Sequence, residues 1–358
     1  MAQTDLTNYR ALDPGDMYAA IRDFPAQMRT AIALTDDAPK LSLGRIKRVV
    51  ILGMGGSAIG GDLLRSYVSS FDDHNGVEVV VSRDYIPPQV GKSDLVVVGS
   101  YSGNTEETLT AFAAARKNAG KVVAVTTGGK LRKSATKEGY PIVMLPAGYQ
   151  PRAALGLSFF PLLNLLAVRE KLFGEGVARE TTRGMKEAIA LVEKLSDEYG
   201  ATPGDANRAF TIAQSIHTRV PVIYSTAQLL DSVNLRWRGQ IQENAKNLAF
   251  GNLLPEMNHN EINGWSFPDD IVTRCVPIFL HDKADHRRNV KRLEITRRII
   301  AQSSAEPIML ETEGKTRLAR MFSLIHLGDW VSYWLAILNG VDPSPVPVIE
   351  SLKGELAG

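Results

Sequence analysis

Short apolar runs rich in β-branched residues alternate with longer stretches of helical spacing through the first half of the chain. The runs fall at residues 48–52, 77–82, 95–100, 121–126 and 142–145, with helical patterns between them, such as 106–118. This alternation predicts a parallel β-sheet with helices on both faces, in which ligands bind beyond the carboxyl ends of the strands. Residues 155–200 read as helix: Leu162, Leu165, Leu166 and Val168 form an apolar segment, and Met185, Ile189, Val192 and Leu195 follow at helical spacing. Gly, Thr, Pro and Asp at 200–205 mark a turn or linker.

The second half repeats the plan in architecture, not in letters. Strands are expected at 220–224, 272–280 and 307–310, and helices at 228–250, 284–303 and 317–339. The fold class is therefore α/β, with two domains of similar topology. The expected organisation is a helical arm at 1–44, a first domain with connecting helices at 45–200, a second at 201–340 and a tail at 341–358.

Composition narrows the function. The 358 residues suit two ordinary domains, and 44% hydrophobic with 22% charged residues is a globular balance. A net charge of +2 points to neither a nucleic-acid nor a membrane-surface partner. Arg287, Arg288, Lys291, Arg292, Arg297 and Arg298 cluster at helical spacing and read as a solvated helix face. The one cysteine, Cys275, allows no intrachain disulfide, which suits a reducing cytoplasm. CxxC and HExxH spacings are absent and the six histidines are scattered, so no metal site is expected. The first 17 residues lack the apolar core of a signal peptide, and the apolar run 155–168 is too short and too interrupted to span a bilayer.

Two loops carry chemistry. After the first strand comes Gly53-Met54-Gly55-Gly56-Ser57-Ala58-Ile59-Gly60-Gly61. Glycines let a backbone turn tightly and approach a ligand, and a following helix N-terminus offers N–H groups to an anion. Gly53, Gly55 and Ala58 also satisfy the loose dinucleotide fingerprint. After the third strand comes Ser100-Tyr101-Ser102-Gly103-Asn104-Thr105. Three hydroxyls there match the three oxygens of a terminal phosphate, and Ser57 closes the cup from the first loop. Helix capping by Asn104 or Thr105 accounts for one or two of these residues, not for the cluster.

At these residues the chain resembles the sugar-isomerase (SIS) domain family, whose GxGxS-type loop and Ser/Thr-rich second loop correspond to Gly53–Ser57 and Ser100–Thr105. Four further segments are similar to the bifunctional phosphoglucose/phosphomannose isomerases. They are Pro151-Arg152-Ala153-Ala154-Leu155-Gly156, Gln242-Glu243-Asn244-Ala245-Lys246, Met257-Asn258-His259-Asn260-Glu261, and a tail running from Pro345 to Lys353. The resemblance implies two SIS domains, a homodimer, no cofactor, and a C-terminal tail folded over the site. Gly55, Gly56, Ser57, Ser100, Ser102 and Thr105 would bind the sugar phosphate.

Isomerising an aldose to a ketose requires ring opening, proton transfer between C1 and C2, stabilisation of an enediolate and a fixed phosphate. Glu243 suits the proton shuttle, because a carboxylate has two oxygens to serve two carbons; its plainer reading is a surface partner of Lys246. An imidazole can exchange a proton near neutrality, which suits His259 to ring opening. The resemblance brings this histidine from the neighbouring subunit and sets Lys353 beside the ring oxygen. Arg152 would face the enediolate with a permanent charge, or else be a surface arginine at a helix entry. The expected function is interconversion of glucose, fructose and mannose 6-phosphates. A non-catalytic sugar-phosphate sensor would keep the cup but not Glu243, His259 and Lys353 together. A nicotinamide-dependent dehydrogenase would use the glycine turn and Arg83, and leave the hydroxyl cluster without a task.

Overall fold

The structure is a computed structural model and describes residues 6–36 and 41–357. The chain divides into two compact units. The N-proximal unit comprises Asp23–Glu193 and Gly314–Arg320; the C-proximal unit comprises Lys194–Glu313 with the described residues of 1–22 and 321–358. Of the expected helical arm, residues 1–5 and 37–40 lie outside the described residues. The rest is helical only in part: a 3₁₀ stretch at Leu6–Leu12 and α1 (Met17–Arg22) lie in the C-proximal unit and α2 (Phe24–Asp36) in the N-proximal one, while residues 13–16 and 41–44 are not helical.

The N-proximal unit holds a five-stranded parallel sheet of order β2-β1-β3-β4-β5. Its elements run β1 (Arg48–Leu52), α3 (Gly55–Ser69), β2 (Glu78–Ser82), β3 (Asp94–Gly99), α4 (Glu106–Ala115), β4 (Lys121–Thr126), α5 (Gly129–Glu138) and β5 (Ile142–Met144). Side chains alternate across a strand, and both sides are apolar here. Val50, Leu52, Val96, Val98, Val122 and Ala124 pack against Phe112 and Ala115 of α4 and Leu131 and Ala135 of α5. On the other face Ile51 lies under Gly61 of α3. Two buried faces explain why the strands read as unbroken apolar runs. The helical stretch 155–200 is interrupted. After α6 (Leu155–Leu163) the backbone turns left-handed at Lys171 and Gly174 before α7 (Glu175–Tyr199) begins.

The C-proximal unit holds a four-stranded parallel sheet of order β7-β6-β8-β9. It contains α8 (Arg208–Ile216), β6 (Val220–Thr226), α9 (Asp231–Ala245), β7 (Phe250–Leu254), α10 (Asp269–Val272), β8 (Cys275–His281), α11 (Arg287–Ile300), β9 (Ile308–Glu311), α12 (Arg317–Leu338) from Met321 onward, and α13 (Pro347–Ala357). The expected helix 228–250 stops at Ala245, because Lys246 takes a left-handed φ of 52°. The chain then enters β7, an edge strand that the residue pattern does not announce; Gly251 and Asn252 are poor strand formers. Residues 269–272 make a helical turn where the strand was expected to start. The arginine-rich segment is α11: Leu293, Thr296 and Ile300 are its buried face, and Arg287, Arg288, Lys291 and Arg298 are exposed. By length and composition α12 would cross a membrane, but 94% of its most apolar window is buried inside the protein.

The two sheets wind alike. From β1 the chain goes to one neighbour, β2, and then across to the other, β3; from β6 it goes to β7 and then to β8. Each sheet therefore has a switch point, where the loops leaving its two central strands diverge and a ligand crevice opens.

Candidate functional site

At the N-proximal switch point the first loop leads from β1 into α3, and the second from β3 into α4. The Tyr101 N–H donates to Ser57 Oγ across the crevice, at 3.1 Å. Ser100 Oγ and Thr105 Oγ1 are paired at 2.9 Å, so one proton serves both and the other remains to be donated. Ser102 Oγ accepts the Asn104 N–H at 3.2 Å, which leaves its own proton for another acceptor. Neither Met54 at the start of α3 nor Thr105 at the start of α4 caps its helix with a side chain. The first N–H groups of both helices therefore remain as donors for an anion.

Asn104 does not cap α4. Its side-chain oxygen accepts the Lys130 N–H at 3.1 Å, and its amide donates to the Ser102 carbonyl at 3.2 Å. This joins the second loop to a third, after β4, which the sequence reading passed over. There the Thr127 N–H and hydroxyl both donate to the Tyr101 carbonyl, at 3.0 and 2.7 Å. Gly103 sits between them with φ +70°, and any side chain on it would collide with the Gly128 carbonyl. The run Thr126-Thr127-Gly128-Gly129 at a strand end was the available signal.

Arg152 belongs to the same wall. It is buried, in a single 3₁₀ turn at Pro151–Ala153. The turn lies so close to the first loop that a Cβ on Gly56 would run into the Pro151 carbonyl and come within 3.2 Å of the Arg152 nitrogen. Gly55, Gly56, Ser57, Ser100, Ser102, Thr105 and Arg152 are thus all in one unit. Arg83 is spent elsewhere, paired with the buried carboxylate of Asp62 on α3.

Glu243, His259 and Lys353 are in the C-proximal unit. Glu243 is half-buried near the end of α9, and that helix is anchored along its length to α12. Arg236 forks onto Asp329 at 3.0 and 2.8 Å, with both groups buried. Trp237 donates to the Leu324 carbonyl at 2.8 Å and Asn244 to Ser332 Oγ at 2.9 Å. The motif around Glu243 also ties down the chain beyond α9: Gln242 donates to the Ala249 carbonyl, and Lys246 Nζ to the carbonyls of Asn244 and Asp342. These are structural tasks that spacing alone does not reveal.

His259 ends a 3₁₀ turn, Glu256–His259, directly after β7, and is exposed. Its neighbours are fixed. Met257 is buried beside Tyr224, Leu254 and Phe279, and Asn258 donates to Thr296 of α11 at 2.8 Å. Glu261 accepts from the Tyr224 hydroxyl and from Asn252 Nδ2, the latter at 2.7 Å. Burial, reinforced by Glu261, pushes the Tyr224 hydroxyl far above the ordinary tyrosine value and keeps it a donor. Lys353 is exposed on α13.

The C-proximal crevice, beyond β6 and β8, is built differently. Asp285 accepts from the Thr226 hydroxyl at 2.7 Å and from the Asp282 N–H at 3.0 Å, and Asp282 accepts from Thr312 at 2.8 Å. Burial raises the Asp285 carboxyl above its ordinary value; the bonds from Thr226 and the Asp282 N–H work against that, and the Asp282 charge adds to it. Among the described residues no group of three or more His, Cys, Asp and Glu side chains is placed to hold a metal ion.

Comparisons with known proteins identify the family. Residues 205–356 match the family described as bacterial phospho-glucose isomerase C-terminal SIS domain. A bifunctional phosphoglucose/phosphomannose isomerase of Caldicellulosiruptor bescii is 40% identical over 95% of this chain and 99% of its own. One of Aquifex aeolicus is 40% identical over 87% of this chain and 90% of its own. Among solved structures, the C-terminal domain of the Francisella tularensis glucosamine-fructose-6-phosphate aminotransferase superposes with a TM-score of 0.70 at 16% identity, covering 92% of this chain and 98% of that one. That likeness speaks for the fold. The identity over nearly whole chains goes further: the chain belongs to the bifunctional phosphoglucose/phosphomannose isomerase family.

Proposed function

We propose that the protein is an aldose–ketose isomerase that interconverts glucose 6-phosphate, fructose 6-phosphate and mannose 6-phosphate through a cis-enediol. The observation that carries this reading is the cup of Ser57, Ser100, Ser102 and Thr105 at two uncapped helix N-termini. It suits a dianionic phosphate monoester, and family membership supplies the rest. Each sheet forms the centre of one SIS domain in this reading.

The cup anchors the phosphate and thereby fixes where C1, C2 and O5 fall. His259 exchanges the proton that opens the ring, with Lys353 beside the ring oxygen once the tail lies over the site. Glu243 then takes a proton from C2 and returns it to C1, or the reverse. Arg152 stabilises the enediolate oxygen that carries charge between the two transfers. Glucose and mannose 6-phosphates differ only at C2 and give the same enediol, so returning the proton to either face of C2 yields both sugars. No metal or cofactor enters these steps. The reaction is one of cytoplasmic hexose-phosphate metabolism, shared by glycolysis and gluconeogenesis.

Incubating the purified protein with each of the three sugar phosphates and following the products by NMR tests the reading. Conversion among all three is expected. Binding without conversion would leave a sugar-phosphate sensor. The active enzyme is taken to be a homodimer, with His259 supplied by the subunit opposite Glu243. Mixing inactive Glu243→Gln and His259→Ala proteins under subunit exchange should then restore about a quarter of wild-type activity, since about half the dimers are mixed and each has one intact site. Verified exchange with no recovery would put both residues in one chain.

A further inference from the structure

We infer that Glu261 is a positioning residue for ring opening: its carboxylate, held between Tyr224 and Asn252, fixes the turn from which His259 projects. The inference rests on the ring-opening role given to His259 above. It adds a reason why an exposed histidine on a short turn would act with a defined geometry.

The turn has two attachments besides its backbone. On one side Asn258 donates to Thr296 at 2.8 Å and Met257 is buried in the core. On the other, Glu261 accepts from two donors on adjacent strands, the Tyr224 hydroxyl of β6 and the Asn252 amide of β7. Tyr224 is itself fixed: it is wholly buried, stacks on Phe279 at 5.2 Å, and receives a hydrogen bond from Trp265 Nε1 at 3.0 Å. The Glu261 N–H is also taken, by Asn260 Oδ1 at 2.6 Å, and Asn260 Nδ2 reaches back to Glu256 at 3.0 Å. His259 is the exposed member between these attachments, and among the described residues its ring has no hydrogen-bond partner. Both Glu261 oxygens are occupied by protein donors, so this carboxylate is placed to hold the turn and not to receive a substrate proton.

A proton transfer is sensitive to small displacements of the donor, whereas the phosphate cup and Glu243 lie on other elements. Loosening Glu261 should therefore slow ring opening selectively. The test compares fructose 6-phosphate with its 5-deoxy analogue, in which no hydroxyl can close a five- or six-membered ring, so that only proton transfer at C1 and C2 is read. For Glu261→Gln, turnover of fructose 6-phosphate should fall about 10–100-fold at nearly unchanged KM. Solvent-deuterium exchange at C1 of the acyclic analogue should stay near the wild-type rate. Tyr224→Phe, which removes a single hydroxyl, should give a smaller loss with the same selectivity, and answers the question if Glu261→Gln does not fold. His259→Ala is the reference. If it is selectively impaired and neither Glu261→Gln nor Tyr224→Phe is, or if both lose the two activities equally, the positioning role is overturned. If His259→Ala shows no selectivity, the ring-opening assignment falls, and this inference with it.

Discussion

The two crevices of this molecule open at the same place in the same winding, yet they offer opposite surroundings to an anion. In the N-proximal unit the helices leaving β1 and β3 begin without side-chain caps, and the hydroxyls around them retain protons to donate. In the C-proximal unit one donor at each helix start is taken, although α9 too begins without a side-chain cap, at Leu230. His286 Nδ1 accepts the Arg288 N–H at the start of α11, and Asp231 accepts the Ser232 N–H at the start of α9. Where one crevice has Ser100, Ser102 and Thr105, the other has Asp282 and Asp285, bonded to Thr312 and Thr226. A repeated fold thus supplies a repeated position, and the residues at the strand ends decide whether it binds a ligand or closes on itself. In the proposed mechanism the C-proximal unit contributes instead through α9 and the turn after β7, with Glu243 and His259.

Separating anchoring from chemistry gives the largest expected effect. Glu243→Gln keeps the shape but cannot take up a proton, so turnover should fall about 10²–10⁴-fold, with sugar-phosphate affinity retained in calorimetry. Near-normal turnover would remove Glu243 as the base. Next, the comparison can be broken by giving the cup what its counterpart has. Ser102 is exposed, so Ser102→Asp should fold, and its charge should weaken sugar-phosphate binding by about 10²–10³-fold. Affinity within a factor of about two of wild type would put the phosphate elsewhere.

Removing single donors is milder. Ser102→Ala and Thr105→Val each take away one hydrogen bond to a charged oxygen, and each should cost about tenfold in affinity. Unchanged affinity in both would again relocate the phosphate. The smallest effect is expected from Asp285→Asn in the other crevice. Burial raises the Asp285 carboxyl in the folded state, so the native protein holds this proton more tightly than the unfolded chain does. The stability tied to it is present below the unfolded value, about 4, and is lost as pH rises through the higher folded value. A non-titrating Asn should flatten that part of the Tm-versus-pH curve and leave sugar-phosphate affinity unchanged. A loss of affinity like that of the cup variants would end the contrast between the crevices.

Much of this could be read from the residues, and the rest has identifiable causes. Strands buried on both faces, such as Asp94–Gly99, reveal themselves as continuous apolar runs. Strand β7 does not, because its place is set by pairing with β6 and not by its own Gly251 and Asn252. The hydroxyl cluster proposed as the phosphate cup was legible as a count of hydroxyls against oxygens. Which hydroxyl bonds to which was not, since the Ser57–Tyr101 contact spans 44 residues. The same holds for Lys246, whose three-residue spacing from Glu243 suggested a surface pair and whose ammonium reaches the Asp342 carbonyl at 2.6 Å. Glu261 was visible as a letter in a motif, but its partners, Tyr224 and Asn252, come together only through the sheet register.

The central claim is that the phosphate is held at the N-proximal switch point and not at its counterpart. A crystal structure with sorbitol 6-phosphate, which lacks the carbonyl needed to react, tests it most directly. The phosphorus is expected among Ser57, Ser100, Ser102 and Thr105, with oxygens on the hydroxyls and on the first N–H groups of α3 and α4. A phosphate bound instead beside Thr226 and Asp285, or a saturated complex whose cup holds none, would contradict it.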